Sequence, residues 1–360
     1  MNVTVYAIAK NEEQFVERWV RSMAEADHLC VLDTGSTDGT VEALADLGVT
    51  VRREVIAPWR FDAARNRSMD LIPEGTDVCV CTDLDEVFRP GWRAELERAW
   101  RPGTEQLRYR YIWSFDGEGH PGTEFLQEKI HAPGVFRWVH PVHEVLERTD
   151  GKTAWEVATA EDMVLEHHPD PGKSRDGYLA LLELSVRERP EDDRNAHYLG
   201  REYMFHRRWD EAIEQLKRHL ALPTATWAEE RCASLRFISR CYLAKGEWRE
   251  ALSWALRAVA EAPELREPWV QAEEAAYVGG DWDAVVFFGR RAVSITRKSG
   301  SYINEEKAWG AYPWDAMAYA LYQLGDTAGA AAATEQALRL DPGNERLRGN
   351  LRCYHRRYSR

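Results

Sequence analysis

The sequence predicts an α/β domain in its first half and an all-α array of repeated helix pairs in its second. Short β-branched apolar runs alternate with amphipathic stretches up to about residue 172, strand patterning then disappears, and similar tryptophan-bearing segments recur. The boundaries expected are 1–172 for the α/β domain, 173–345 for the helical array and 346–360 for a basic tail. At 360 residues the chain exceeds the size at which one hydrophobic core stops growing, which agrees with two domains.

Taken in order, Val3 to Ile8 is a buried strand, closed by Lys10-Asn11-Glu12-Glu13. Phe15, Val16, Trp19, Val20 and Met23 then recur at helical spacing through about Ala26. A second strand, His28 to Leu32, runs into Asp33-Thr34-Gly35-Ser36-Thr37-Asp38-Gly39-Thr40, a turn whose glycines let backbone amides approach a ligand, with Thr37 or Asp38 to cap a helix near Val41. An acid at such a strand end can accept a hydrogen bond from a base or ribose, whereas a plain capped turn has no need of Asp33. Val49 to Ile56 gives a third strand, and Phe61-Asp62-Ala63-Ala64-Arg65-Asn66-Arg67 opens a helix to Leu71.

The next strand, Asp77 to Cys81, exits into Thr82-Asp83-Leu84-Asp85-Glu86. Strand alternation would turn the Asp83 and Asp85 carboxylates to one side, where one divalent ion touches both. Hard carboxylate oxygens suit Mg²⁺ or Mn²⁺, ions held by one or two carboxylates together with substrate phosphates. A helix follows over Trp92 to Trp100, then strands over Gln106 to Phe115, Phe125 to His131, Phe136 to Leu146 and Met163 to Pro169, with Asp150-Gly151 read as a hairpin turn.

Four blocks carry a family resemblance: Val5-Tyr6-Ala7-Ile8-Ala9-Lys10-Asn11-Glu12, Asp33 to Thr40, Phe61 to Asn66, and Asp83-Leu84-Asp85-Glu86. In this order they resemble the family 2 glycosyltransferases of the GT-A fold, a Rossmann-like nucleotide-sugar-binding architecture. The resemblance implies that the exit of the first strand (Ala9, Asn11) and Asp33 hold the nucleotide, that Asp83 meets ribose and metal, and that Asp85 binds the metal. Arg65 and Asn66 match the helix-opening block, with a nucleotide or phosphate contact and a structural role both open. Phe136 to Leu146 resembles the acceptor-side block that ends in a His-Glu pair. His143 and Glu144 are therefore the candidate bases for an inverting transfer, and alternation along a strand would put them on opposite faces. Trp138 suits stacking on a sugar or burial on the sheet. A late histidine completes the metal shell in several such enzymes, so His167 or His168 is the place to look.

The second half repeats. Arg207-Arg208-Trp209-Asp210-Glu211-Ala212-Ile213 aligns with Lys245-Gly246-Glu247-Trp248-Arg249-Glu250-Ala251-Leu252 and Gly280-Asp281-Trp282-Asp283-Ala284-Val285-Val286, and Leu324-Gly325-Asp326-Thr327 keeps the turn without the tryptophan. Trp248 to Trp282 is 34 residues, the tetratricopeptide period; the flanking intervals are longer, with loops expected near Pro223 to Trp227 and Gly300 to Pro313. Stacked pairs of this kind present an extended surface to a peptide or protein, or else serve to stabilise or dimerise a neighbour. The three tryptophans occupy equivalent positions and read as packing.

Composition narrows the function. A net charge of −13 argues against nucleic acid as the main partner, and the basic tail, with six arginines, fits a solvated helix end as well as a docking patch. Six cysteines without C-x-x-C spacing read as reduced thiols. No apolar run is long enough for a bilayer and no basic-then-apolar leader opens the chain, so a cytoplasmic location is expected. The combined reading is a Mn²⁺- or Mg²⁺-dependent enzyme moving a sugar from a nucleotide-sugar, with UDP the expected nucleotide, to a Ser, Thr or Cys of a peptide or protein. Bacterial peptide and protein glycosyltransferases, the bacteriocin S-glycosyltransferases among them, are similar in pairing these two parts. Two alternatives are a small-molecule or lipid-carrier acceptor with the repeats serving oligomerisation, a homodimer for example, and a non-catalytic repeat scaffold.

Overall fold

The computed structural model describes every residue except 116, 118, 171, 173–176, 359 and 360, and the backbone alone of 356–358. The chain divides into two compact units, Met1–Ser185 with Gly300–Tyr302, and Val186–Ser299 with Ile303–Arg360. The domain boundary expected after residue 172 falls among residues outside the described ones, as does the end of the basic tail.

The first unit begins β1 (Val3–Ala9), α1 (Glu13–Met23), β2 (His28–Asp33), α2 (Thr40–Asp46), β3 (Thr50–Arg53), α3 (Phe61–Met69) and β4 (Val78–Cys81). Strand β2 pairs parallel with β1 and β3, and β1 parallel with β4. Next come β5 (Glu86–Phe88), α4 (Trp92–Ala99), β6 (Gln106–Ile112), β7 (Glu124–His131), β8 (Phe136–Val139), β9 (Val145–Arg148) and β10 (Val157–His167). One sheet runs in the order β3-β2-β1-β4-β7-β6-β10-β5, and β8 and β9 form a separate antiparallel ribbon.

The central strands are apolar at successive positions because both sheet faces are covered. Val5, Ala7, Val31 and Val80 pack with Phe15, Val16 and Trp19 of α1. Tyr6, Cys30, Cys79 and Cys81 face the other way, onto Phe136, Trp138 and Leu146 of the β8–β9 ribbon. This second layer carries His140 to Glu144 at its tip.

Three local expectations are corrected. Strand β4 stops at Cys81 and Asp83 to Asp85 form a turn before β5, closed by the Glu86 amide on the Asp83 carbonyl at 3.1 Å, so alternation does not align the two carboxylates. His143 and Glu144 lie in the connection between β8 and β9, with left-handed backbone at His140 (φ 79°) and His143 (φ 52°), so they are not neighbours on a strand. The Asp150-Gly151 turn does not close a hairpin, because β9 pairs back onto β8 while β10 crosses to β6 and β5. Asp150 instead binds Arg148 through both oxygens, at 2.8 and 2.9 Å.

After α5 (Tyr178–Glu188), the second unit is built of helix pairs: α6 (Asp193–Phe205) with α7 (Trp209–Ala221), α8 (Ala228–Ala244) with α9 (Trp248–Glu261), and α10 (Glu267–Gly279) with α11 (Trp282–Ser294). A short α12 (Glu306–Trp309) precedes the pair α13 (Tyr312–Gln323) and α14 (Thr327–Leu340), and α15 (Glu345–Tyr358) follows. The recurring turn has a backbone cause. The position two before the second helix is left-handed each time: Arg207 (φ 59°), Gly246 (80°), Gly280 (72°) and Gly325 (87°). At the following position, Asp281 and Asp326 cap helices with side-chain oxygens on the amides of Ala284 and Gly329. The tryptophans are half-buried packing groups; a Cβ on Gly279 would sit 2.5 Å from the Trp248 ring.

Five of the cysteines are buried and unpaired, and Cys353 is exposed. Burial pushes their thiols up, to about 11 for Cys30, Cys81 and Cys232 and about 12 for Cys79 and Cys241.

Candidate functional site

The residues that converge in the first unit come from α3, the β4–β5 turn, β7 and the β8–β9 connection. Arg65 projects from α3 and is 3% exposed. Its Nε donates to Glu144 Oε1 at 2.6 Å, its Nη2 to Asp83 Oδ1 at 2.8 Å and its Nη1 to Cys81 Sγ at 3.3 Å. A planar guanidinium is suited to this, since its donors are fixed in a fork that reaches two carboxylates at once. Burial works against the Arg65 charge, but Asp83, Cys81 and Glu144 overcome it and hold the group protonated.

Asp83 takes a second cation on its other oxygen, Lys129 Nζ of β7 at 3.2 Å. Burial would raise the Asp83 pKa; Arg65 and Lys129 reverse this and hold the carboxyl well below the usual range. Lys129 also reaches Glu86 Oε1 at 3.2 Å, where the Tyr111 hydroxyl donates at 2.8 Å, and Glu86 Oε2 accepts the Asp83 amide at 2.8 Å. Glu86 is buried and burial lifts its pKa despite Lys129. Three carboxylates, those of Asp83, Glu86 and Glu144, thus meet two cations, Arg65 and Lys129.

Asp85 points elsewhere. Its Oδ2 lies 3.5 Å from His167 Nε2, at the end of β10. His167 Nδ1 is 3.1 Å from the Trp113 carbonyl and its ring stacks on Trp113 at 4.5 Å. A carbonyl partner fixes the proton on Nδ1 and turns Nε2 toward Asp85, the atom through which the deprotonated imidazole would bind a metal. His168 does not share this position: it stacks on Phe115 and meets Glu166 Oε2 at 3.2 Å. Asp85 and His167 thus fit a divalent ion as an oxygen and nitrogen pair. Asp83, Asp85 and His167 do not converge at one point; among the described residues, the group placing one ligand atom each within 4.8 Å is Asp193, His219 and Glu230. Both Asp83 oxygens are taken instead by Arg65 and Lys129.

The remaining sequence candidates divide. Asp33 is fully buried, with Oδ1 on the amides of Gly35 and Ser36 at 3.1 Å and Arg53 Nε 3.4 Å away. The Ala9 carbonyl accepts the Thr34 amide at 2.8 Å, and Asn11 Oδ1 accepts the Thr37 amide at 2.8 Å. These bonds lock the exits of β1 and β2 into one cradle, Asn11 taking left-handed backbone (φ 55°) to do so. Asn66 faces away from it: its amide donates to the Trp138 carbonyl at 2.8 Å and accepts the Trp138 amide at 2.9 Å, pinning β8 to α3. Trp138 is buried, its indole donating to the Tyr6 hydroxyl at 2.9 Å. His143 stands edge-on to Tyr178, ring centres 6.1 Å apart.

Sequence reasoning did not single out Lys129 or Tyr111. Lys129 sits within Gln127-Glu128-Lys129, an ordinary polar stretch, and only the antiparallel pairing of β7 beside β4 brings it to Asp83. No local pattern announces this.

Comparison with known proteins follows the same division. Residues 4–124 match the family model "Glycosyl transferase family 2". Residues 234–267 and 311–344 match models of the tetratricopeptide repeat. Among solved structures, similar chains include MamA (19% identical, covering 46% of this chain and 82% of that one, TM-score 0.38). Others are TTC0263, a thermophilic TPR protein of Thermus thermophilus (20%, 50% and 89%, 0.37), and YrrB, a TPR protein with an unusual peptide-binding site (12%, 47% and 78%, 0.37). No helix among the described residues is long and apolar enough to cross a membrane. The chain therefore carries a family 2 glycosyltransferase domain at its N-terminus, followed by tetratricopeptide repeats.

Proposed function

We propose that the first unit transfers a sugar from a nucleotide-sugar, with UDP the expected carrier, to a hydroxyl or thiol of a peptide or protein, with inversion at the anomeric carbon. The observation that carries this reading is Arg65, one buried guanidinium that ties Asp83 of the D-x-D block to Glu144 of the acceptor-side block. Two blocks that the family resemblance assigns to donor and acceptor are thereby held within one hydrogen-bonded cluster.

The cradle of Ala9, Asn11 and Asp33 receives the nucleotide, and Asp83 meets its ribose, as the family resemblance implies. Asp85 and His167 would hold a Mn²⁺ or Mg²⁺ ion, which when bound supplies positive charge to the diphosphate. The acceptor oxygen or sulfur bonds to the anomeric carbon as the bond from that carbon to the diphosphate oxygen breaks, and its proton passes to Glu144. His143, next to it in the same connection, is the alternative base. The repeats offer the surface on which a peptide or protein acceptor is held, as stacked helix pairs commonly do.

The test is turnover of a panel of nucleotide-sugars with Mn²⁺, compared between the native chain and Asp85→Ala. Native hydrolysis or transfer, reduced on the order of 100-fold by Asp85→Ala, is expected for loss of several kcal/mol of charge stabilisation. If no donor is turned over and none raises the melting temperature, the enzymatic reading fails. The pH profiles of Glu144→Gln and His143→Ala separate the two bases: the variant that removes the acidic limb identifies the proton acceptor.

A further inference from the structure

We propose that Asp193, His219 and Glu230 form a binding site for one zinc-class transition-metal ion inside the repeat unit, separate from Asp85 and His167. Their three ligand atoms lie within 4.8 Å of one another. Each comes from a different helix: Asp193 from the first turn of α6, His219 from the last turns of α7 and Glu230 from the first turn of α8. An ion there would join the first helix pair to the second.

The second observation is the state of His219. It is fully buried, and its Nε2 makes no hydrogen bond although Glu230 Oε1, on a residue 4% exposed, is 3.4 Å away. The other ring nitrogen is engaged: Nδ1 lies 2.9 Å from Ser234 Oγ, which is also 2.7 Å from His197 Nδ1. One hydroxyl between two imidazoles donates to one ring and accepts from the other. When Ser234 accepts from His219 and donates to His197, His219 Nε2 presents a lone pair into a fully buried site, where a cation would satisfy it. The opposite tautomer would aim an N–H at Glu230 without forming a bond.

The chemistry of the set selects the ion. One imidazole nitrogen and two carboxylate oxygens are a zinc or cobalt donor set, softer than the all-oxygen shells that suit Mg²⁺ or Ca²⁺. Two carboxylates also cancel the charge of a divalent ion, which matters in a buried position. The Ser234 contact on His219 Nδ1 is the kind of support that fixes the tautomer and orientation of a ligating imidazole. Ligands about 2.0–2.2 Å from zinc require the half-buried Asp193 side chain to draw in, and a water fills the fourth position.

The experiment uses the full chain carrying Asp85→Ala, which removes the other metal position. After equilibration with Zn²⁺ and gel filtration, elemental analysis is expected to find one zinc per chain, and Co²⁺ substitution to give visible absorption of a low-coordinate site. Zinc is expected to raise the melting temperature, and Asp193→Asn to weaken zinc retention at least tenfold. His219→Ala is expected to abolish it. Should His219→Ala fail to fold, Asp193→Asn decides, since its side chain is half-buried. A chain that takes up neither Zn²⁺ nor Co²⁺, or one in which Asp193→Asn retains zinc as tightly as before, overturns the proposal and makes the cluster an ordinary imidazole–carboxylate pair.

Discussion

Replacing Arg65 by Met keeps most of the side-chain volume and removes the charge that binds Asp83 and Glu144. Both carboxylates lose their shortest cationic partner, contacts of 2.8 and 2.6 Å, at a position 3% exposed. Breaking a buried ion pair by deleting one partner costs about 3–5 kcal/mol, because the remaining charge is left uncompensated. Lys129 still touches Asp83 at 3.2 Å, so most of the cost falls on Glu144, and the lower end of that range, about 3 kcal/mol, is expected. That corresponds to a loss of protection of roughly 150-fold. Hydrogen exchange of the β1 and β4 amides is the suitable assay, since it reports on the first unit alone. Combining Arg65→Met with Glu144→Gln should recover part of the loss, because the double variant no longer buries an unpaired carboxylate, giving a coupling of about 1–2 kcal/mol. Arg65→Lys should fall between, as an ammonium cannot fork to both partners. A loss under about 1 kcal/mol, or simple additivity with Glu144→Gln, would refute the view that one buried guanidinium holds these blocks together.

Other expectations follow from single side chains. His131 accepts from the Tyr6 hydroxyl at 2.8 Å, donates to the Ala132 carbonyl, and burial depresses its pKa to about 4. Its folded pKa lies below the unfolded value near 6.5, so stability is present above pH 6.5 and is lost as pH falls toward 4, by up to about 1.4 kcal/mol per unit; His131→Gln should flatten urea midpoints in that window. Glu273 is fully buried with neither oxygen bonded, and burial raises its pKa well above the usual value. There the sign is opposite: stability is present below about pH 4.5 and falls as pH rises from there, so Glu273→Gln should raise the melting temperature at pH 8 and change little at pH 4. Asn66→Ala removes both bonds to the Trp138 main chain and should cost about 1–3 kcal/mol in thermal or urea unfolding. Arg207→Gly places glycine where its three repeat counterparts are glycine, relieving a left-handed strain of about 1–2 kcal/mol; a lower melting temperature would contradict that account.

Much of the fold was legible because its signals are local. Apolar runs marked β1, β2 and β4, the 3.6-residue rhythm marked α1, and the repeat turns showed themselves in Gly-Asp-Trp, whose glycine and aspartate have separate backbone tasks. The pairing of strands was not legible. Nothing near Asp150-Gly151 says that β9 turns back on β8, or that the chain bends at Thr82 so that Asp83 and Asp85 part company. Of the candidate site, Asp85 with His167 and Asp83 with Glu144 through Arg65 are brought together as blocks far apart in sequence, whereas Lys129 enters only through sheet order. The Asn66 amide, bonded through both its oxygen and its nitrogen to β8, illustrates why a residue inside a motif block need not face a ligand.

The distribution of thiols has a practical corollary. Reactivity toward alkylating reagents follows the thiolate and its access to solvent, and five of the six sulfurs are denied both. Under native conditions a maleimide dye should therefore land on Cys353 of the last helix, giving a singly tagged molecule without mutagenesis. The sheltered five then become a clock, each reacting only when the unit that encloses it opens.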